Sequence, residues 1–287
     1  MRLVIRGTTR LLGVIGYPVK HSLSPVMHNA AIAHLGVDYV YLPFPIQPES
    51  LKTAIAGFQA IDLVGFSITI PHKQAIMPLL SEITPIAQAV GAVNTVWRTE
   101  TGWKGTNTDV AGFVAPLASL NQDWTQARAV ILGNGGAARA VVAGCLQLGF
   151  AEIQVVGRNW QKLQAFQASW GVQTLQIHPW ENLAQLLPQA SLFVNTTPIG
   201  MHPNIADSPV ELAVLQNLPK GAIAYDLIYT PKPTRFLQQA AQCGATPIDG
   251  LEMLVQQGAE ALQLWLGQPV PVEVMRQSLI EVLGDKL

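Results

Sequence analysis

The residues best placed to do chemistry with a ligand form a glycine turn, Gly133-Asn134-Gly135-Gly136-Ala137, between the apolar run Ala129 to Leu132 and a helix-like stretch AVVAGCLQL. Strand, glycine turn and helix in that order fit a dinucleotide fingerprint read as Gly133-x-Gly135-x-x-Ala138. The first glycine permits a tight turn, the second lets backbone approach a pyrophosphate, and the small third residue packs helix on strand. The pyrophosphate then rests on a helix N-terminus, where unpaired N–H groups and the dipole favour an anion. A second apolar run, Ile153 to Val156, ends in Gly157-Arg158-Asn159, with Gly157 lying 24 positions after Gly133. An NAD site carries an acid roughly 20 residues on, to hold the ribose 2′-hydroxyl. No Asp or Glu stands there; Arg158 can fork onto a 2′-phosphate, and Lys162 adds a second cation. The pattern favours NADP over NAD, against the plainer reading of Arg158 as a solvated charge at a strand end.

Three polar clusters precede the glycine turn. In Ser22-Leu23-Ser24-Pro25 two hydroxyls one residue apart can project together onto vicinal oxygens or a carboxylate. Ser24 before Pro25 is equally a good N-cap with proline at the first helical position. In Thr69-Ile70-Pro71-His72-Lys73, a lysine follows an apolar strand, and partial enclosure there makes its proton affinity adjustable. The third cluster combines Gly91-Ala92-Val93-Asn94-Thr95 with Gly105-Thr106-Asn107-Thr108-Asp109; small residues around an amide and a carboxylate are also ordinary turn formers.

The elements that must position these groups follow from the apolar pattern. From Leu11 to Arg98 short apolar runs alternate with helical patterns (LLGVIG, MHNAAIAHLG, YVYLPF, LKTAIAGFQA, LVGFSITI), the βαβ rhythm of a mainly parallel sheet. Val110 to Asn121 reads as a connecting helix. A second α/β unit runs from Ala129 through Ile153–Val156, Leu192–Asn195 and Ala222–Leu227 to about Ile248, the pattern of a Rossmann domain. Gln161 to Gln189 is glutamine-rich and expected to be largely helical and exposed. The tail from Leu251 to Leu287 is expected to be helical, broken at Gly267-Gln268-Pro269, and to return to the first domain.

Composition narrows the function. The 287 residues are long enough for two domains with their own cores. A net charge of −1, with 12% charged residues, offers no basic field for nucleic acid or an anionic membrane. Cys145 and Cys243 lie in apolar helical patterns without metal or CxxC spacing, which reads as buried thiols in a reducing cytoplasm. The arginines of MRLVIRGTTRLL superficially suggest a transit peptide, but a first strand from Leu11 to Gly16 explains the segment better. No segment reaches the ~18 uninterrupted apolar residues of a membrane helix, and no metal-ligand cluster is evident.

Taken together the clusters resemble the shikimate dehydrogenase family, from Gly13 to Ala259, through GYPVKHSLSPVMHNAA, TIPHK, GAVNT, GTNTDVAGF, GNGGAARA, NTTPIGM (Asn195 to Met201), YDLIYTPKPT (Tyr225 to Thr234) and DGLEMLVQQGA (Asp249 to Ala259). The resemblance implies an α/β fold of two α/β domains: a mainly parallel-sheet substrate domain over residues 1–109 and 250–287, and a Rossmann NADP-binding domain over 110–249, with an active-site cleft between them. It implies an NADP-dependent oxidoreductase that reduces 3-dehydroshikimate to shikimate on the route to chorismate. By the same resemblance Ser22 and Ser24 would bind the substrate carboxylate, with Thr69, Asn94, Tyr229 and Gln257 as further contacts. Lys73 and Asp109 would be the catalytic pair on the ring hydroxyls. Gly133, Asn134, Gly135, Gly136 and Ala137 would hold the pyrophosphate, Arg158, Asn159 and Lys162 the 2′-phosphate, and Leu227 and Gly250 would flank the nicotinamide. Asn159 stands where threonine is common in the family. The competing readings are a quinate/shikimate dehydrogenase using NAD or NADP, and a non-catalytic NADP-binding regulator; the sequence leaves oligomeric state open, a homodimer included.

Overall fold

A computed structural model describes residues 4–284; residues 1–3 and 285–287, which fall within the N-terminal segment and the helical tail of the sequence reading, lie outside the described residues. The chain divides into two compact units, Met1–Gly112 with Leu254–Leu287, and Phe113–Met253.

The first unit is built on β1 (Arg10–Gly16), β2 (Tyr39–Pro45), β3 (Gly65–Ile68), β4 (Glu82–Ile83), β5 (Thr95–Thr99) and β6 (Gly102–Thr106), ordered β2-β1-β3-β5-β6-β4. β1 runs parallel to β2 and β3, and β4 to β6, while β5 is antiparallel to both its neighbours. Helices Ser24–Leu35 and Leu51–Ala60 return the chain between the parallel strands. The second of these carries Leu51, Ile55 and Phe58 into a core with Ile15, Phe66, Ile68, Val96 and Trp103 from the sheet. From the tail helix Leu251–Leu266, Trp265 donates its indole N–H to the Val96 carbonyl at 2.9 Å. Its ring lies so close to Gly65 that a Cβ there would come within 2.2 Å of the indole nitrogen; the strand is glycine at this point because the tail packs on it. The β5–β6 hairpin was not foreseen from sequence, which read GAVNT and GTNTD as turn-forming segments. Trp97-Arg98 and Lys104-Gly105 break the apolar alternation that marks a strand.

The second unit is a fully parallel sheet of β7 (Arg128–Leu132), β8 (Glu152–Gly157), β9 (Leu175–Pro179), β10 (Leu192–Asn195), β11 (Ile223–Asp226) and β12 (Thr246–Ile248), ordered β12-β11-β10-β7-β8-β9. This is the doubly wound order, with the chain reversing direction across the sheet between β7 and β10. Alternate residues face opposite layers: Ala129, Ile131, Leu192, Val194 and Tyr225 join one core, Val130, Leu132, Phe193 and Ala224 the other. Such strands are buried on both faces, hence their unbroken apolar runs. The glutamine-rich stretch is less helical than expected. After helix Trp160–Ala168 it contains β9, an edge strand whose Gln176 and His178 alternate with Leu175 and Ile177. An edge strand needs only one buried side, so polar residues conceal it among helical glutamines.

Two glycines give opposite predictions. Gly65→Ala drives a methyl into the Trp265 ring and the Val96 carbonyl, and should destabilise by about 1–3 kcal/mol in denaturant unfolding. Gly57→Ala, inside helix Leu51–Ala60 with open space around it, should stabilise by about 0.5–1 kcal/mol.

Candidate active site

In the first unit the polar clusters sit at strand ends, and the two around Lys73 and around Asn94 and Asp109 join in one network. Asn94, just before β5, is buried and uses every polar atom. Its amide donates to Thr108 Oγ1 and Asp109 Oδ1, both at 2.9 Å, and reaches Gln257 Oε1 at 3.5 Å; its oxygen accepts from the Thr108 N–H at 2.8 Å and the Thr95 hydroxyl at 3.0 Å. Asp109 begins helix Asp109–Ala118, and its other oxygen receives Lys73 Nζ at 2.5 Å. The Lys73 side chain is 20% exposed and that of Asp109 9%, so the ammonium is largely withdrawn from water yet reachable. Its one-turn helix, His72–Ala75, is pinned by the buried His72, whose Nε2–H donates to the Ile46 carbonyl at 2.8 Å, while Val93 N–H donates to the Lys73 carbonyl.

Ser22 and Ser24 follow β1, and Thr69 follows its neighbour β3. Ser24 is not the helix cap that the sequence left open. It is the first helical residue, Leu23 occupies the cap position, and no side chain caps the helix. Pro25 has no N–H and so leaves one fewer group for a cap to satisfy. Instead the Ser24 N–H reaches Ser22 Oγ at 3.3 Å, and its carbonyl accepts from His28 Nδ1–H at 2.8 Å. His28, stacked on Tyr41 with centroids 4.0 Å apart, is held neutral: burial pushes it down to about 4.

In the second unit Gly133 follows β7 with φ +101°, where a Cβ would strike Thr196 Oγ1 at 2.7 Å. Only glycine suits both the backbone and the crossing. Asn134 lies in the turn; Gly135 occupies the cap position of helix Gly136–Leu148 in an extended conformation with open space where a Cβ would stand, and Gly136 and Ala137 open the helix. No side chain caps this helix and no acid lies in its first turn, which leaves its N–H groups to an anion. Arg158 and Lys162 are exposed beyond β8. Asn159 is the N-cap of helix Trp160–Ala168, its side chain accepting from the Lys162 N–H at 2.9 Å. These residues fit a dinucleotide phosphate: an open glycine cradle and two cations at the adjoining strand end.

Leu227 and the half-buried Tyr229 lie in the irregular segment after β11, and a Cβ on Gly250 would come within 2.1 Å of the Leu227 carbonyl. Asn195 and Asp226 lie in the motifs NTTPIGM and YDLIYTPKPT, and sequence reasoning assigns neither a role. Each is the polar last residue of an otherwise apolar strand, a signal visible in the sequence. Asp226 accepts from Asn195 Nδ2 at 3.0 Å, Ile228 N–H at 3.1 Å and Thr234 Oγ1 at 2.7 Å. Burial nevertheless pushes its carboxyl up to about 6, with the charge of Asp249 in the same direction. Among the described residues no His, Cys, Asp and Glu cluster could hold a metal ion, and no helix is long and apolar enough to cross a membrane.

A doubly wound sheet with a glycine cradle at its switch point, in one chain with a unit that gathers a lysine, a carboxylate and an amide, defines a two-domain protein of the pyridine-dinucleotide type. Residues 14–96 match the shikimate dehydrogenase substrate binding domain, residues 117–231 shikimate / quinate 5-dehydrogenase, and residues 250–280 the shikimate 5′-dehydrogenase C-terminal domain. A shikimate dehydrogenase (NADP(+)) of Nostoc sp. is 65% identical over 99% of this chain and 100% of its own length. A solved shikimate dehydrogenase in complex with NADP+ superposes with TM-score 0.88 at 36% identity, covering 98% of each chain. The enzyme of Thermus thermophilus in complex with NADP(H) and shikimate gives 0.85 at 33% identity, over 95% of this chain and 99% of that one. The chain belongs to the shikimate dehydrogenase family.

The raised Asp226 carboxyl carries a sign that can be tested. From the ordinary 3.8 to about 6, the folded state holds a proton that the unfolded chain has released, so this group's contribution to stability falls as pH rises through that window. In Asp226→Asn the contribution is absent. The unfolding free energy of the variant relative to the wild type should therefore rise by at most about 3 kcal/mol between pH 4 and 7. Denaturant curves at the two pH values measure it, and a pH-independent difference would show that Asp226 ionises normally.

Proposed function

We propose that this chain catalyses the reversible NADP(H)-dependent reduction of 3-dehydroshikimate to shikimate, with residues 1–109 and 250–287 binding the substrate and 110–249 the NADP. The observation that carries the reading is the enclosed Lys73–Asp109 pair braced by Asn94, in a chain 65% identical to a relative named for that activity. NADPH, when bound, supplies the hydride that reduces the ketone carbon. Negative charge then develops on the ketone oxygen, and a preorganised donor must meet it there. The Lys73 ammonium donates to that oxygen and delivers its proton. Asp109 holds the ammonium and accepts a hydrogen bond from the neighbouring hydroxyl, while Asn94 fixes the carboxylate from its far side. Ser22 and Ser24 grip the substrate carboxylate, with Thr69, Tyr229 and Gln257 completing the contacts. Gly133 to Ala137 take the pyrophosphate, Arg158 and Lys162 the 2′-phosphate with Asn159 organising their loop, and Leu227 and Gly250 border the nicotinamide. The same reading puts the enzyme in the cytoplasm, which suits the free thiols Cys145 and Cys243.

A spectrophotometric assay of NADPH formation from shikimate tests this directly. Parallel runs with quinate and with NAD test the quinate/shikimate alternative, and a folded protein inert in every combination would leave the non-catalytic regulator. Lys73→Ala should lower kcat by about 10²-fold or more, the scale of a positioned proton donor, with a smaller change in KM; wild-type kcat in a folded variant refutes its role. Arg158→Ala should weaken NADP by about 2 kcal/mol, roughly thirtyfold, while sparing NAD. Equal losses in kcat/KM with both cofactors would mean that Arg158 supports its loop and does not read the phosphate.

A further inference from the structure

The second unit buries a carboxylate that the reaction described above does not use. Asp226 is fully buried at the end of β11, and its three hydrogen bonds lead to strand-end and loop groups. Oδ1 takes the amide of Asn195, its partner across β10, and the N–H of Ile228; Oδ2 takes the hydroxyl of Thr234. Asn195 passes the connection on, its side-chain oxygen accepting both the N–H and the hydroxyl of Thr197, and Thr197 Oγ1 accepting from the Ile199 N–H. One carboxylate thus clamps two irregular segments, 196–199 and 227–234. The sheet beneath is already closed by apolar burial and parallel backbone pairing.

Withdrawing a carboxylate from water is costly unless each oxygen is well paired. Here the pairing orders what lacks regular structure. Leu227 is held between this clamp, which grips residues 226, 228 and 234, and the backbone of Gly250, whose N–H donates to the Ile228 carbonyl at 3.2 Å and whose Cα leaves no room for a side chain against Leu227. We propose that Asp226 is a positioning residue for hydride transfer: through Asn195, Ile228 and Thr234 it sets the backbone of Leu227, and with it the wall that orients the nicotinamide ring. The inference rests on the functional reading above, in which Leu227 and Gly250 border that ring. The phosphate-binding residues Gly133 to Ala137 and Arg158 hang from β7 and β8; the 196–199 arm of the clamp meets this cradle at Leu132 and Gly133 through Thr196, whereas the Thr234 arm belongs to the segment after β11.

The separate position of the Thr234 arm supplies the test. Asp226→Asn keeps the shape but puts an NH2 where one oxygen accepted; Thr234→Val removes the Oδ2 donor together with the hydroxyl that accepts from the Leu237 N–H at 3.3 Å as the N-cap of helix Arg235–Gln242, a loss that the thermal midpoint reads separately. Three quantities are measured: kcat for shikimate oxidation by NADP+, the Kd of 2′,5′-ADP, a fragment without nicotinamide, and the thermal midpoint. Expected are a drop in kcat of about tenfold or more for Asp226→Asn and about threefold for Thr234→Val, the scale of a modest misplacement of reacting groups, with 2′,5′-ADP Kd within about twofold of the wild type. If Asp226→Asn does not fold, Thr234→Val decides. Unchanged kcat in the folded variants, or parallel losses of kcat and 2′,5′-ADP affinity, overturns the positioning role. A wild type that fails to oxidise shikimate refutes the functional reading itself, a result separate from active wild type beside unaffected variants.

Discussion

The ion pair between Lys73 and Asp109 is the interaction around which the first unit is arranged. Its partners lie 36 positions apart and meet at 2.5 Å only because β3, β5 and β6 bring three loops to one end of the sheet. A largely enclosed pair of this kind is a poor source of net stability, since desolvation offsets much of its Coulombic gain. It therefore has to be held by its surroundings, and the surroundings are specific. His72 anchors the one-turn helix to the Ile46 carbonyl, and Asn94 ties Asp109 to Thr108. The pair is consequently preorganised, with donor and acceptor directions set before any substrate arrives.

The second unit meets the same constraint with different residues. Parallel strands buried on both faces leave polar chemistry only their ends. At the reversal between β7 and β10, Gly133 bends the chain past Thr196, while Thr196 itself donates to the Leu132 carbonyl at 2.6 Å. Asn195 and Asp226 end adjacent strands and face each other, so the irregular segments that follow are hung from side-chain bonds. In both units an amide next to a carboxylate, Asn94 with Asp109 and Asn195 with Asp226, organises the loops at strand ends. An amide suits this place because it donates to the carboxylate with one end and accepts from backbone or hydroxyl with the other.

The βα rhythm, the glycine turn and the cationic strand end were legible because each is local: unbroken apolar runs, a spacing of glycines, and an arginine where an acid would otherwise stand. What escaped was the structure whose local pattern is diluted. The hairpin of β5 and β6 carries arginine, lysine and glycine within its strands, and β9 lies among glutamines as an edge strand with one buried side. Ser24 shows a different limit. Its sequence suits a helix cap as well as a ligand, and only the backbone placed the cap at Leu23.

The amino-acid sequence by itself determined which residues could be strands, turns and reactive groups, because those depend on short-range sterics and on the periodicity of apolar side chains. Only the tertiary structure decided which reactive groups meet. That Lys73 reaches Asp109, that Asn94 braces it, that Trp265 needs a glycine at position 65, and that Asp226 clamps two loops all depend on strand order and register. These are set by how the whole chain packs its apolar faces, and no local spacing encodes them.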